Sequence, residues 1–381
     1  MQTDNRGDYN PTYELAIQKT NALSLPLFTL VITVLLVVIP YIGWGFTADA
    51  TNRFSLSDVS VMDKPDRTDR LAANWMLTLQ TDIATNKYLS LDAEIVNNFQ
   101  YSATMQDKQH EQNMDDKLYR AWLRLSAKQT DLRIGLQRLN FGSASIIRPL
   151  QWFDKLNPLD VLESTDGVQA ALMKSYFPNN STLWAWAILA DGQLKGSEAV
   201  PTKDDDIELG GRYQLPFLSG EAAISANHRR LAAKLYENRV GFDMRVDTFA
   251  GLWVENSLSN TNDMSPEWAL QSMLGTDYTF DIGNGLYAVL ETGINHSSNA
   301  LNKLQIEDTR SALMINYPLG LLDAVIYLSS VEWEAEQYTQ SFVFRRSYDS
   351  LVLELSASYA IDNKDRFKDT TAIQFLISYT K

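Results

Sequence analysis

Residues 239–247 read RVGFDMRVD, a stretch that sorts its side chains onto two unlike faces when the chain is extended. Val240, Phe242, Met244 and Val246 fall on one face; Arg239, Gly241, Asp243, Arg245 and Asp247 fall on the other. A period of two is the signature of a strand with one apolar and one wet side. The pattern recurs along the chain. In LVLELSASYA, Leu351, Leu353, Leu355, Ala357 and Tyr359 oppose Glu354, Ser356 and Ser358. In IELGGRYQL, Ile207, Leu209, Tyr213 and Leu215 oppose Glu208, Arg212 and Gln214; in RLAANWMLTLQTD, Leu71, Ala73, Trp75, Leu77 and Leu79 oppose Asn74, Thr78, Gln80 and Asp82. From about residue 54 onward, helix-period segments are scarce.

A soluble sandwich alternates as well, so other features must separate the two. The alternating runs reach about ten residues or more, the length a tilted strand needs to cross a bilayer, roughly twice that of a soluble strand. Charges sit in mid-strand on the polar faces, as a wet lumen permits. Apolar faces end in aromatics such as Trp268, Tyr278, Tyr359 and Tyr379, which suits interfacial girdles.

Connection lengths complete the argument. Taking 54–62 as the first strand, further strands are expected near 71–82, 89–101, 117–128, 131–141, 166–177, 181–191, 206–215 and 220–230. The remainder fall near 238–247, 249–258, 267–282, 285–296, 309–317, 322–333, 340–347, 350–361 and 369–380. Links after even-numbered strands are tight, as at 129–130, 178–180, 216–219, 283–284 and 348–349. Those after odd-numbered strands are longer and polar, as at 102–116, 192–205 and 297–308. Short turns at one end and long loops at the other belong to a transmembrane antiparallel up-and-down β-barrel. The expectation is an all-β barrel over 51–381 with about eighteen strands, or sixteen if one hairpin is wrongly divided.

The bulk numbers agree. As a soluble protein, 381 residues would suggest two or more domains. A formal net charge of -14 leaves no basic surplus for nucleic acid. Cysteine is absent, which excludes disulfides, thiol catalysis and thiolate metal sites. His110, His228 and His296 are far apart, and TKDDDIE at 202–208 reads as a solvated loop, so neither metal nor cofactor is expected. Residues 23–46 are almost wholly apolar, and Ala48-Asp49-Ala50 follows with the spacing of a secretory cleavage site. Residues 1–50 are thus expected to be a signal peptide cleaved after Ala50, or else a retained hydrophobic segment.

The part after the signal resembles the porin-like outer-membrane barrels of Gram-negative bacteria. The last strand, TAIQFLISYTK, is similar to the terminal strand read by the barrel-assembly machinery, with Ile373, Phe375, Ile377 and Tyr379 toward lipid; it departs in ending on Thr380-Lys381. GLQRLNFG at 135–142, followed by Asn157-Pro158-Leu159-Asp160, resembles a G-R-Q-R-x-x-W/F-G strand and N-P-x-D loop of such barrels, with Leu136 in place of the arginine. The resemblance implies a bacterial outer-membrane setting, lipid and assembly-machinery contacts, a monomer or homotrimer, and a third outer loop that folds inward.

That loop is 142–165. Ile146, Ile147, Leu150, Trp152, Phe153, Leu156 and Leu159 are too many large apolar groups for a loop standing in water. Tucked against the inner wall they are covered, while Arg148, Asp154, Lys155 and Asp160 project into the channel. The strand at 117–128 turns Arg120, Trp122, Arg124 and Lys128 to the lumen, and the next adds Arg133; Asp92 and Glu94 face them, and Trp253 is lumen-facing by phase. Charged rings of this kind set pore selectivity, although cross-strand neutralisation would explain the same residues. Trp184 and Trp186 are expected on the lipid side. The reading is passive diffusion of small hydrophilic solutes, with no catalytic residues. The alternatives are a non-transporting barrel for structure, assembly or surface polysaccharide, and an outer-membrane hydrolase, for which His296 and the adjacent serines offer no evident dyad.

Overall fold

In the computed structural model, Val240 and Phe242 of the RVGFDMRVD strand are 48% and 42% exposed, whereas Arg239 and Asp243 are 7% and 1% exposed. The apolar face is the outer one and the polar face is covered, the reverse of a soluble strand. The strand at 220–232 repeats this, with Ala223, Ser225, Asn227 and Arg229 buried between exposed Ile224, Ala226 and His228.

The structure describes residues 46–63, 66–86, 89–106, 109–159, 165–364 and 369–381. Eighteen strands occur in chain order: β1 Phe46–Asp63, β2 Asp66–Asn86, β3 Leu89–Gln106, β4 Gln109–Ala127, β5 Thr130–Gln137 and β6 Val168–Tyr176. Next come β7 Thr182–Leu189, β8 Ile207–Phe217, β9 Gly220–Ala232, β10 Leu235–Asp247, β11 Gly251–Thr261 and β12 Trp268–Phe280. The last are β13 Leu286–Ser298, β14 Gln305–Pro318, β15 Asp323–Glu332, β16 Gln337–Ser347, β17 Leu351–Asp362 and β18 Thr370–Thr380. Each pairs antiparallel with its sequence neighbour, and β1 pairs with β18 from Arg53↔Thr380 to Asp63↔Thr370. The sheet is therefore a closed ring. Closure removes every free edge and satisfies the backbone without water, which a strand in hydrocarbon requires. Large apolar residues stand exposed all round the outside, among them Leu56, Trp75, Ile224, Leu274, Leu290, Phe342, Leu355 and Phe375.

All eighteen expected strands are present, and two of the expected long links are not. Residues 102–116 continue β3 and β4 as a hairpin, with Gln106 opposite Gln109 and residues 109–116 exposed throughout. Half of the 297–308 link is strand, leaving 299–304 with a short 3-10 helix at Leu301–Lys303. A hairpin standing clear of its neighbours is wet on both faces, so it carries no alternation. The genuinely long connections are β5–β6 and β7–β8. Ala48, Asp49 and Ala50 lie in β1, opposite Thr81, Gln80 and Leu79. The apolar run that begins at Leu23 falls outside the described residues up to Gly45, and Asp160 is outside them as well.

Candidate functional site

The β5–β6 connection, Arg138 to Gly167, is held at its tip far from its own strands. Glu291 of β13 accepts hydrogen bonds from the backbone N–H groups of Ser145 (2.7 Å), Ile146 (2.9 Å) and Ile147 (2.5 Å), and from Trp253 Nε1 (3.1 Å). Glu255 of β11 accepts from the amides of Ala144 (2.7 Å) and Leu150 (3.3 Å). Trp152 Nε1 donates to Ser257 Oγ at 2.9 Å, also on β11. These strands stand six and eight places from β5 in the ring of eighteen. Both carboxylates are fully buried. They serve as acceptors for amides that no strand pairs, which is why burying them is tolerable.

Close approach is permitted by glycine in two places. A Cβ on Gly241, inside the RVGFDMRVD stretch, would stand 2.5 Å from Leu150 Cδ2 and 3.1 Å from the Trp152 ring; one on Gly293 would stand 2.8 Å from Ile147 Cγ2. The connection's own apolar residues then form a dry cluster. Leu139, Phe141, Leu150, Trp152 and Phe153 pack on Val168, Ala170 and Leu172 of β6 and on Trp186 and Ile188 of β7. Phe141 stacks on Trp186 at 5.7 Å and meets the edge of Trp152 at 5.4 Å. Full burial of Leu150, Trp152 and Phe153 contributes about 1.5–3 kcal/mol each.

Trp184 and Trp186 are therefore on the covered face and not toward lipid; the outward residues of β7 are Leu183 and Leu189. Trp122 and Trp253 are buried on the same side as the wall charges. Along β3–β5, Arg124 pairs with Asp92 at 2.7 Å, and Trp122 Nε1 donates to Glu94 at 3.0 Å. Arg124 and Arg133 lie directly opposite each other, and the Arg133 guanidinium sits 4.3 Å from the Trp122 ring centre. Arg120 reaches Thr165 Oγ1 at 2.9 Å. Lys128 departs from expectation: it occupies the β4–β5 turn with φ +52° and is exposed. Asp154 also departs, being buried and bonded to Arg138 at 3.2 Å; Lys155 is exposed. Arg148 donates to Asn140.

Sequence reasoning missed Lys174 of β6, whose Nζ sits 3.4 Å from the Trp184 ring centre. It also missed Glu255 and Glu291. A cavity of about 740 Å³ gathers Arg133, Arg138, Arg148 and Lys174 against Phe141, Trp184 and, from β14, Met314. Among the described residues no carboxylate lies within 4 Å of Arg133, Arg148 or Lys174.

The β7–β8 connection, Ala190 to Asp206, closes over the first. Ser197 N donates to Gln151 O at 2.9 Å. Glu198 is wholly covered between Arg229 (2.9 Å), Lys195 (3.6 Å) and Arg239 (3.7 Å). Burial pushes its carboxyl above the usual range, against the pull of Arg229 and Lys195. At the rim, the Ser297 hydroxyl donates to Glu307 and not to His296.

No model of a known protein family matches the chain, and no curated protein matches it in sequence. Its fold is shared with solved structures. Pseudomonas aeruginosa OccK7 (OpdD) superposes with a TM-score of 0.59 at 11% identity, covering 88% of this chain and 99% of that one. Acinetobacter baumannii OccAB4 gives 0.56 at 11% identity, covering 87% and 98%. Pseudomonas aeruginosa OpdK, solved with vanillate, gives 0.54 at 12% identity, with the same coverage. In fold, the chain is a porin-like outer-membrane β-barrel of eighteen strands.

Proposed function

We propose that the chain is a channel of the bacterial outer membrane for passive diffusion of small hydrophilic solutes, narrowed by the β5–β6 connection. One observation carries the reading. A segment rooted in β5 whose amides are held by Glu255 and Glu291 on the far strands runs through the ring's interior as a strap. The outward apolar face supports the membrane setting, and β18 turns Ile373, Phe375 and Tyr379 outward, where the assembly machinery would read them. Selectivity follows from charge. Arg124 and Arg138 are paired with Asp92 and Asp154, whereas Arg133, Arg148 and Lys174 line the cavity with no carboxylate of the described residues within 4 Å, the nearest across the ladder from Lys174 being Asp131. Cations in excess at a constriction favour anions, and the Trp184 and Phe141 rings that line the cavity beside Lys174 suit solutes with an apolar part. Vanillate, the molecule solved with OpdK, is an anion of that description.

Planar-bilayer recording tests this. Purified protein is expected to give discrete conductance steps with a reversal potential displaced toward the anion. The variant Arg133→Glu/Lys174→Glu is expected to move the reversal potential toward the cation, because two fixed charges at the constriction change sign. Absence of steps in the folded wild type would favour the non-transporting barrel.

A further inference from the structure

The tight turns at the foot of the barrel, which in such barrels face the periplasm, are not alike. Four consecutive ones carry a large apolar residue at the tip: Leu218 between β8 and β9, Phe249 between β10 and β11, Ile282 between β12 and β13, and Leu321 between β14 and β15. Leu218 and Phe249 are 80% and 86% exposed and Leu321 fully so, against 64% for Leu274 on the outer wall. Leu218 also holds φ +51°, the left-handed region where a turn ordinarily uses glycine, asparagine or aspartate. A strained leucine with so little packing gains nothing from the folded chain alone. Other described turns are polar at the tip: Lys128-Gln129, Asn179-Asn180 and Asp349-Ser350. Phe177 and Tyr348, beside the last two, are only as exposed as Phe242 on the wall.

Counting upward from the tips says what covers them. Along β9 the outward positions are Ala222, Ile224 and Ala226, and the first polar one is His228, bonded to the outward Asn238 of β10 at 2.7 Å. Below Asn238, β10 turns Val240, Phe242, Met244 and Val246 outward. On β13 and β14 the first polar outward residues are Thr292 and Ser311, opposite each other with hydroxyls 3.3 Å apart; Ala288, Leu290, Leu313 and Ile315 lie below. Leu218 to His228, Ile282 to Thr292, Leu321 to Ser311 and Phe249 to Asn238 are each about ten residues. At a rise of ~3.3 Å per residue and a tilt of ~40°, ten residues stand about 25 Å tall, the height of an outer-membrane barrel's apolar band. Without the tips the run on β10 spans only about 15 Å. Asn256 beside Phe242, and Thr276 between Leu252 and Leu290, interrupt the band without bounding it. Its lower edge rises past the turns on either side of this arc. Thr130 and Ser175 mark that at the feet of β5 and β6, their hydroxyls 3.2 Å apart, and the ion pair Asp323–Arg346 (3.7 Å) marks it at the feet of β15 and β16.

We propose that the four turns from β8–β9 to β14–β15 are immersed at the acyl–headgroup boundary of the periplasmic leaflet, with phospholipid as the partner of Leu218, Phe249, Ile282 and Leu321. Their backbones tolerate it because the turns bond within themselves: Thr248 N donates to Ala250 O (3.0 Å), Gly285 N to Ile282 O (3.0 Å) and Leu319 N to Asp323 O (2.8 Å). Ser219, Thr248, Asp281 and Asn284 flank the tips and reach headgroups and water, which an insertion of about 5–10 Å leaves within range. The anchor is one-sided: it fixes the depth of this arc and leaves the polar turns in the periplasm. It goes beyond the channel reading and holds whether or not the barrel conducts.

The chain has no cysteine, so a single one carries a label without background. Leu218→Cys, Phe249→Cys and Leu321→Cys are compared with Gln129→Cys and Asp349→Cys, all at exposed turn positions. Each is folded, checked for the heat-dependent gel shift of an intact barrel, labelled with a nitrobenzoxadiazole fluorophore and placed in phosphatidylcholine vesicles. Lipid brominated near the ester end of its acyl chains is expected to remove roughly half of the emission at 218, 249 and 321 and almost none at 129 and 349. Bromine at the methyl end should quench the three tips less, and aqueous iodide should act in the reverse order, on 129 and 349 first. Tips quenched by lipid no more than the controls overturn the proposal; tips open to iodide in pure lipid would point instead to a periplasmic protein that covers them. Equal lipid quenching at all five positions overturns it too, since the anchor would not be confined to one arc.

Discussion

The Glu291→Ala variant is expected to raise single-channel conductance about twofold and to make the open level noisy, because a strap without its anchor no longer rests at one width. The Glu291 carboxylate takes four donors: the amides of Ser145, Ile146 and Ile147 and the indole of Trp253. Removing it leaves those N–H groups to find water, at a cost of about 1–3 kcal/mol for each that stays buried. Nothing else in the tip offers comparable holding energy. Ile146 and Ile147 are only partly buried, against Trp253, Met273 and Val289. The root is different, since Leu150, Trp152 and Phe153 are fixed in the dry cluster on β6 and β7. Glu291→Ala is thus expected to free residues 144–148 while leaving 150–153 in place. Adding Glu255→Ala removes the bonds to Ala144 and Leu150 and should carry conductance further. Excision of 145–160 sets the upper limit. Limited proteolysis with elastase provides a second readout, with new cleavage after Ala144 in the anchor variants and the barrel intact. If conductance is unchanged in Glu291→Ala, Glu255→Ala/Glu291→Ala and the excision variant alike, the strap does not narrow a channel.

The fold was legible in the sequence because a barrel in a membrane writes its two solvents into alternate positions. Arg239 and Asp243 against Val240 and Phe242 record a wet side and a lipid side, and no other residues are needed to place that strand. Where one solvent is missing, the code fails. On β7, Leu183, Ala185, Ala187 and Leu189 alternate with Trp184, Trp186 and Ile188, and neither set is polar. The strap dries the inner face here, so phase alone cannot say which tryptophans point inward. The needed signal was in the strap itself: Trp152 and Phe153 required an apolar surface to cover, and the inner face of β7 with Val168, Ala170 and Leu172 of β6 supplies one. The opposite failure occurs at 109–116, where water bathes both sides and a strand reads as a loop.

Site residues were legible where partners are side chains on adjacent strands, as for Asp92 with Arg124. Glu255 and Glu291 were not, because their partners are backbone amides of a segment more than a hundred positions away, and an amide carries no residue type. Their only trace is a lone carboxylate at an inward position within an apolar setting, in LWVENS and VLETGI. Asp154 was assigned to the channel because loops are presumed wet; its burial beside Arg138 follows from the packing of Trp152 and Phe153 just before it.

The Arg212→Met variant is expected to be the most destabilising single change in the wall. Arg212 and Asp243 are 3% and 1% exposed and joined by two bonds, so removing the guanidinium strands a carboxylate in a dry site. Breaking a buried pair on one side costs about 3–5 kcal/mol, whereas replacing both partners with apolar groups is often neutral. Arg212 also lies 5.2 Å from the centre of the Phe141 ring, which binds this pair to the root of the strap. The midpoint of the heat-dependent gel shift is therefore expected to fall by about 5–10 °C in Arg212→Met. Arg212→Met/Asp243→Leu should recover most of that loss, since no charge is left unpaired. A midpoint unchanged in Arg212→Met would mean that water reaches Asp243, and the wall beside it would then belong to the open lumen.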